Sequence, residues 1–145
     1  MIEEYSIPDD MVSNNTDVTY FDVNHRAVVP GLIDTHTHLL WAGDRSREVT
    51  WRREGKSYAE IASLGGGIQY TVQRTKRASD EELHALGYQR LREALRTGTT
   101  HLEAKSGYGL DVESELRLLD VAERLNNDGS TPSIDHTWMG AHDIP

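Results

Sequence analysis

The sequence contains no cysteine. That single absence excludes a disulfide-stapled secreted module, a cysteine-ligated zinc finger, an iron–sulfur cluster and thiol catalysis. Long apolar runs are also missing, and none approaches the roughly 18 residues of a membrane span. The first ten residues, MIEEYSIPDD, are acidic and lack the charged-then-apolar pattern of a signal peptide. Basic charge is scarce: 15 Lys and Arg stand against 24 Asp and Glu, for a net charge of -9. A nucleic-acid partner is therefore not expected, since phosphate contacts need a broad cationic face. A cytoplasmic protein without a membrane partner is the expectation. What is present, 145 residues of which 37% are apolar, suffices for a soluble globular core of about one ordinary domain.

The charge is unevenly spread. Residues 1–30 carry six acids and one base, residues 31–78 five acids and eight bases, and residues 79–145 thirteen acids and six bases. The basic middle can receive a small anionic ligand, and most of its bases read as a solvated surface.

Val18, Tyr20 and Val23 hint at a short strand, with Asn14, Asn15 and Asn24 marking turns. The apolar run from Val28 to Asp34 reads as a strand entered through Pro30-Gly31. Ser57-Tyr58-Ala59-Glu60 and Ser79-Asp80-Glu81-Glu82 each read as a capping box, a serine and a glutamate satisfying each other's backbone at a helix start. After the second, Leu83, Leu86, Leu91, Ala94 and Leu95 share a helical face, and Gly98 stands where a C-terminal cap belongs. Thr99–Lys105 reads as a strand. A helix follows over about Val112–Leu125, with Leu116, Leu119 and Ala122 on one side. Ser133–Met139 reads as another strand. Strands alternating with helices predict an α/β fold with a parallel sheet.

The sharpest chemical feature is Asp34-Thr35-His36-Thr37-His38. In an extended strand, residues two apart point the same way, so His36 and His38 can present two imidazoles to one metal ion such as zinc or iron. Asp34 shares their parity and could orient them. The competing reading is a pair of partly exposed turn histidines. His101, Glu103 and Lys105 alternate along a strand; they could line the floor of a site or pair with one another. Gly65-Gly66-Gly67 lacks a following Gly-Lys-Ser/Thr, so it is no phosphate loop and reads as a flexible connection. Arg47, Arg52 and Arg53 read as surface residues. Trp41, Trp51 and Trp138 read as core or pocket wall.

Pro30–His38 resembles the first-strand signature of the metal-dependent amidohydrolase superfamily. Ala42-Gly43-Asp44-Arg45-Ser46-Arg47-Glu48, Gly65-Gly66-Gly67-Ile68, Lys105-Ser106-Gly107-Tyr108-Gly109-Leu110 and Gly140-Ala141-His142 follow in that order. Together they are similar to the imidazolonepropionase family, over more than 110 residues from about Val28 to Pro145. The resemblance implies a hydrolase that opens the imidazolone ring of 4-imidazolone-5-propanoate to N-formimidoyl-L-glutamate. It implies one zinc or iron ion held in part by His36 and His38, and substrate contacts from Arg45, Tyr108 and His142. An arginine suits the carboxylate tail, because a guanidinium stays charged and forks onto two oxygens. A surface arginine at 45 and a buried turn tyrosine at 108 are the plain alternatives.

The resemblance also implies a partial (β/α)8 TIM barrel. Residues 30–145 would supply about the first three strands, and residues 1–29 would be a remnant of a preceding β segment. The family's further metal histidine and its strand-eight aspartate have no counterpart in the sequence, so no catalytic residue is assigned and the chain by itself is expected not to turn over. A homo-oligomer or a missing C-terminal remainder would complete it. Two other readings stay open: a short binding or assembly protein without catalysis, and another amidohydrolase such as a deaminase. The second leaves the Gly-Asp-Arg and Ser-Gly-Tyr-Gly segments unexplained.

Overall fold

A computed structural model describes residues 21–127 and 129–144. The chain divides between Pro30 and Gly31, and the two units are taken separately. In the first, the expected strand residues Val18 and Tyr20 and the turn residues Asn14 and Asn15 lie outside the described residues. Residues 21–30 form no strand. Instead Asn24 and His25 both take positive φ, 50° and 61°, and the Arg26 N–H closes a turn onto the Val23 carbonyl at 3.1 Å. Asparagine tolerates the left-handed region well, as the sequence reading of this turn required.

The second unit runs β1 (Leu32–Thr37), α1 (Arg47–Arg53), α2 (Tyr58–Ser63), α3 (Gly67–Arg77), α4 (Asp80–Arg96), β2 (Thr99–Lys105), α5 (Val112–Asn126) and β3 (Ser133–Thr137). The three strands form one parallel sheet in the order β1-β2-β3. The α/β expectation holds at this level. β1 starts later than expected and runs through the first histidine, while Val28–Gly31 stay outside it. Four helices, not two, occupy the span between β1 and β2.

Local chemistry explains most boundaries. Ser57 and Glu60 make the reciprocal capping box: the Glu60 N–H donates to the Ser57 hydroxyl oxygen, and the Ser57 N–H donates to the Glu60 carboxylate at 2.8 Å. At Ser79 only the forward half forms, with the Glu82 N–H donating to the serine at 3.1 Å. Gly98 follows the α4 cap with φ +99°, a left-handed conformation suited to glycine.

The core lies on one side of the sheet. Leu102, Ala104 and Ile134 pack there with Leu83 and Leu91 of α4 and with Leu118, Val121, Ala122 and Leu125 of α5. The buried stripe of α5 differs from the expected one. Leu116 is 52% exposed, and the stripe runs Glu115, Leu118, Val121, Ala122 and Leu125. The start of β1 contributes little to this core, since Leu32 and Ile33 are 58% and 63% exposed. Its chain enters the core only past its end, at Leu39 and Leu40. No described helix is long and apolar enough to cross a membrane.

Candidate functional site

Three side chains meet just past the C-terminal ends of the three parallel strands. His38 follows β1, Tyr108 follows β2 and His142 follows β3. The His38 and His142 rings stack at 4.4 Å between centroids, and Tyr108 lies 5.1 Å from His38 and 5.3 Å from His142. In parallel α/β sheets the loops at the C-terminal strand ends are where side chains are free to converge on a ligand.

His36 sits at the edge of this group. Its ring centroid is 6.0 Å from that of His38, with the planes at 75°. Simple strand alternation does not survive here, because the β1–β2 register shifts between Asp34 and Thr37. The Thr37 hydroxyl donates to the Glu103 carbonyl at 2.6 Å across that irregularity. Asp34 accepts the backbone N–H of His36 at 3.2 Å, so it caps the strand backbone and does not orient an imidazole. No cluster of three or more His, Cys, Asp or Glu residues suited to a metal ion forms among the described residues.

The Nδ1 atom of His38 is buried and has no hydrogen-bond partner. Burial first, and then the neighbouring His142, pushes this imidazole below the usual histidine range. His142 Nδ1 lies 2.9 Å from the Gly107 carbonyl oxygen. A carbonyl oxygen only accepts, so Nδ1 carries the proton and a neutral His142 keeps its lone pair on Nε2.

The loop that carries Tyr108 is built around a glutamate that sequence reasoning passed over. Glu115 is fully buried, and its carboxylate accepts the N–H groups of Gly107 at 2.5 Å, Gly109 at 2.8 Å and Leu110 at 2.7 Å. These bonds hold a strained path: Gly107 has φ +127° and Leu110, a bulky residue, has φ +59°. A Cβ on Gly107 would come within 2.8 Å of His142 Nδ1. In the sequence Glu115 passes for an ordinary acid in a first helical turn, and only its place after a glycine-rich loop hinted otherwise.

Arg45 lies in the loop after β1. Its fork is already engaged. Arg45 Nε and Nη2 each donate to Glu48 at 2.8 Å, and Glu48 is 4% exposed. The Glu48 carboxylate also accepts the Gly67 N–H at 2.7 Å. Arg45 holds Glu48 below the usual carboxylate range, and Glu48 in turn raises Arg45.

Other readings resolve. Glu103 and Lys105 pair at 2.6 Å, His101 contacts Ser133 at 2.8 Å, and the Thr137 hydroxyl donates to Glu103, so the polar stripe on β2 is paired partly within itself and partly with β3. Arg47 is exposed but more than a solvated charge. Its guanidinium lies 5.1 Å from the Trp51 ring and 4.9 Å from the Tyr70 ring, and it donates to the Gly65 carbonyl. Trp41 is half-buried under Arg90, whereas Trp138 is 58% exposed and walls a shallow groove with Leu110 and Val112.

Comparison with known proteins sets this geometry beside a chemistry. The chain is 46% identical over 136 residues to an imidazolonepropionase of Paracoccus denitrificans, covering 94% of the chain and 34% of that protein. It is 48% identical over 124 residues to an imidazolonepropionase of Hahella chejuensis, covering 86% of the chain and 30% of that protein. The chain is a relative of the imidazolonepropionases. A human protein named "Probable imidazolonepropionase" is 44% identical over 133 residues, 92% of the chain and 31% of its own length. The chain thus spans about a third of the length of the imidazolonepropionases it matches. No protein-family model matches it.

Proposed function

We propose that these 145 residues carry the substrate-binding corner of a metal-dependent hydrolase that opens 4-imidazolone-5-propanoate to N-formimidoyl-L-glutamate. The observation that carries this reading is the meeting of His38, Tyr108 and His142 past the ends of three successive parallel strands. We read the sheet as the first three strands of a (β/α)8 barrel, because its strands are parallel and in chain order and its core lies on one face. A cytoplasmic location belongs to the same reading.

His36 and His38 would hold the metal ion. The unpartnered Nδ1 of His38 and the lowered basicity of its ring fit a nitrogen donor to zinc or iron. When bound, such an ion supplies a hydrolytic nucleophile near neutral pH by acidifying water. The chain's own residues would do the rest. Arg45 would take the propanoate carboxylate on the N–H edge that Glu48 leaves open, fixing a small polar substrate in one orientation. The Nε2 lone pair of His142 would accept a hydrogen bond or a proton from the imidazolone ring, and the Tyr108 hydroxyl would contact that ring. With only His36 and His38 proposed as ligands, the remaining metal ligands and the catalytic base would come from a second copy or from further polypeptide.

Calorimetric titration with 3-(imidazol-4-yl)propanoate, which shares the ring frame and tail, tests this. Binding is expected, and Arg45→Ala is expected to weaken it ~10-fold or more, the size of one lost charge-assisted interaction. Equal affinity for 4-propylimidazole, which has no carboxylate, would sink the assignment of Arg45. Turnover by this chain alone above a metal-only control would overturn the reading of a partial site.

A further inference from the structure

Arg45 and the glycine turn at residues 65–67 are far apart in the sequence, yet one buried carboxylate touches both. We propose that Glu48 is the positioning residue for Arg45, and that the Gly66-Gly67 turn is the seat that holds Glu48. The inference rests on reading Arg45 as the carboxylate-binding group.

The geometry is a chain of short contacts. Glu48 presents Oε1 to Arg45 Nε and Oε2 to Nη2, both at 2.8 Å, which fixes the plane of the guanidinium. Oε1 accepts a further bond from the Gly67 N–H at 2.7 Å. Gly67 is the first residue of the eleven-residue α3, so the carboxylate also faces the positive end of that helix. Both glycines are needed for this approach. A Cβ on Gly66 would stand 2.7 Å from Glu48 Oε1 and 2.8 Å from the Ile61 side chain, and Gly67 has φ +71°. The motif is therefore a fitted seat, not the flexible connection that its composition suggested.

The consequence is directional. An arginine side chain in solvent samples many rotamers, and ordering it on binding costs affinity. Here Arg45 is ordered before any ligand arrives, with Nη1 and the outer N–H of Nη2 left facing outward. The Arg45–Glu48 pair is close to neutral as a whole. An incoming carboxylate would be recognised by the direction of those N–H bonds more than by net positive charge, and a lysine could not reproduce that edge.

The test is the Arg45 Nε–Hε cross-peak in a proton–nitrogen NMR spectrum of the 145-residue chain, assigned by its loss in Arg45→Lys. The expected result is a downfield, slowly exchanging peak, distinct from those of exposed Arg52 and Arg53. It should vanish in Glu48→Gln and broaden in Gly66→Ala, which alters neither partner of the pair. A wild-type peak that exchanges like those of the exposed arginines would overturn the proposal. So would an unchanged peak in a folded Glu48→Gln. The second arm is calorimetry with 3-(imidazol-4-yl)propanoate, where Glu48→Gln is expected to lower affinity ~10-fold. If Arg45→Ala abolishes binding and Glu48→Gln leaves it intact, the positioning role fails while the functional reading stands. If the wild type binds no probe, the functional reading fails, and the cross-peak still decides whether Glu48 holds Arg45.

Discussion

The imidazole of His142 stacks on that of His38, with centroids 4.4 Å apart and planes within 16°. The contact joins the segments that follow the first and third strands, and it depends on where Gly107 places its carbonyl. Gly107→Ala would push a methyl against His142 Nδ1 and force an L residue to φ +127°. Loss of the His142–Gly107 bond is expected, seen as a shifted His142 ring resonance together with a lowered melting temperature. An unchanged ring resonance would show that the stack does not depend on this glycine.

Glu115 should be one of the costliest polar positions in the chain. Truncation to alanine strands three backbone N–H donors in a buried space, and each unsatisfied donor costs about 1–3 kcal/mol. Glu115→Ala is therefore expected to lower the melting temperature by ~10 °C or to prevent folding, with Glu115→Gln milder. Calorimetric melting of both variants checks the order, and a neutral Glu115→Ala would refute it.

The buried stripe of α5 gives a paired expectation. Leu125 is fully buried, so Leu125→Ala should cost about 2–5 kcal/mol. Leu116 is 52% exposed, so Leu116→Ala should stay within about 0.5 kcal/mol of wild type. Urea melts of the two variants decide between this stripe and the one drawn through Leu116.

Asp111 links acid stability to one carboxylate. Lys76, the Ser114 N–H and the Ser114 hydroxyl hold it at about 2, below its ordinary 3.8. A depressed carboxylate stabilises the fold above its unfolded value, and that stabilisation drains away as pH falls through the folded one. Wild-type stability should thus decline from about pH 4 toward pH 2, and Asp111→Asn should show a shallower decline over the same window. Identical slopes would remove Asp111 from the acid transition. Its exposure keeps the effect modest.

The proposed metal site rests on the unpartnered Nδ1 of His38. Zinc titration of the chain is expected to give weak binding that His38→Ala eliminates, because two imidazoles alone make a shallow site. Undiminished zinc binding by His38→Ala would place the ion elsewhere.

Much of the fold was legible because local chemistry enforces it. Thr99–Lys105 emerged as a strand with the expected bounds, Ser57 capped its helix with Glu60, and Gly98 closed α4 through its positive φ. Periodicity was less secure on α5, where Glu115 occupies the most buried line and displaced the leucine stripe. A hydrophobicity pattern cannot register a carboxylate that is buried because backbone N–H groups surround it.

The candidate site divides along the same line. The sequence nominated His36 and His38 by their spacing, and Arg45, Tyr108 and His142 by the family resemblance of the motifs that carry them. Only the tertiary structure decided which of them meet. It set His38, Tyr108 and His142 together and left His36 at their edge, because a register shift in β1 broke simple alternation. It also supplied Glu48 and Glu115, whose roles rest on bonds to glycine backbone N–H groups in the 66–67 turn and the 107–110 loop. Such bonds carry no side-chain signature at the donating end, which is backbone N–H, so they form only once the backbone has turned.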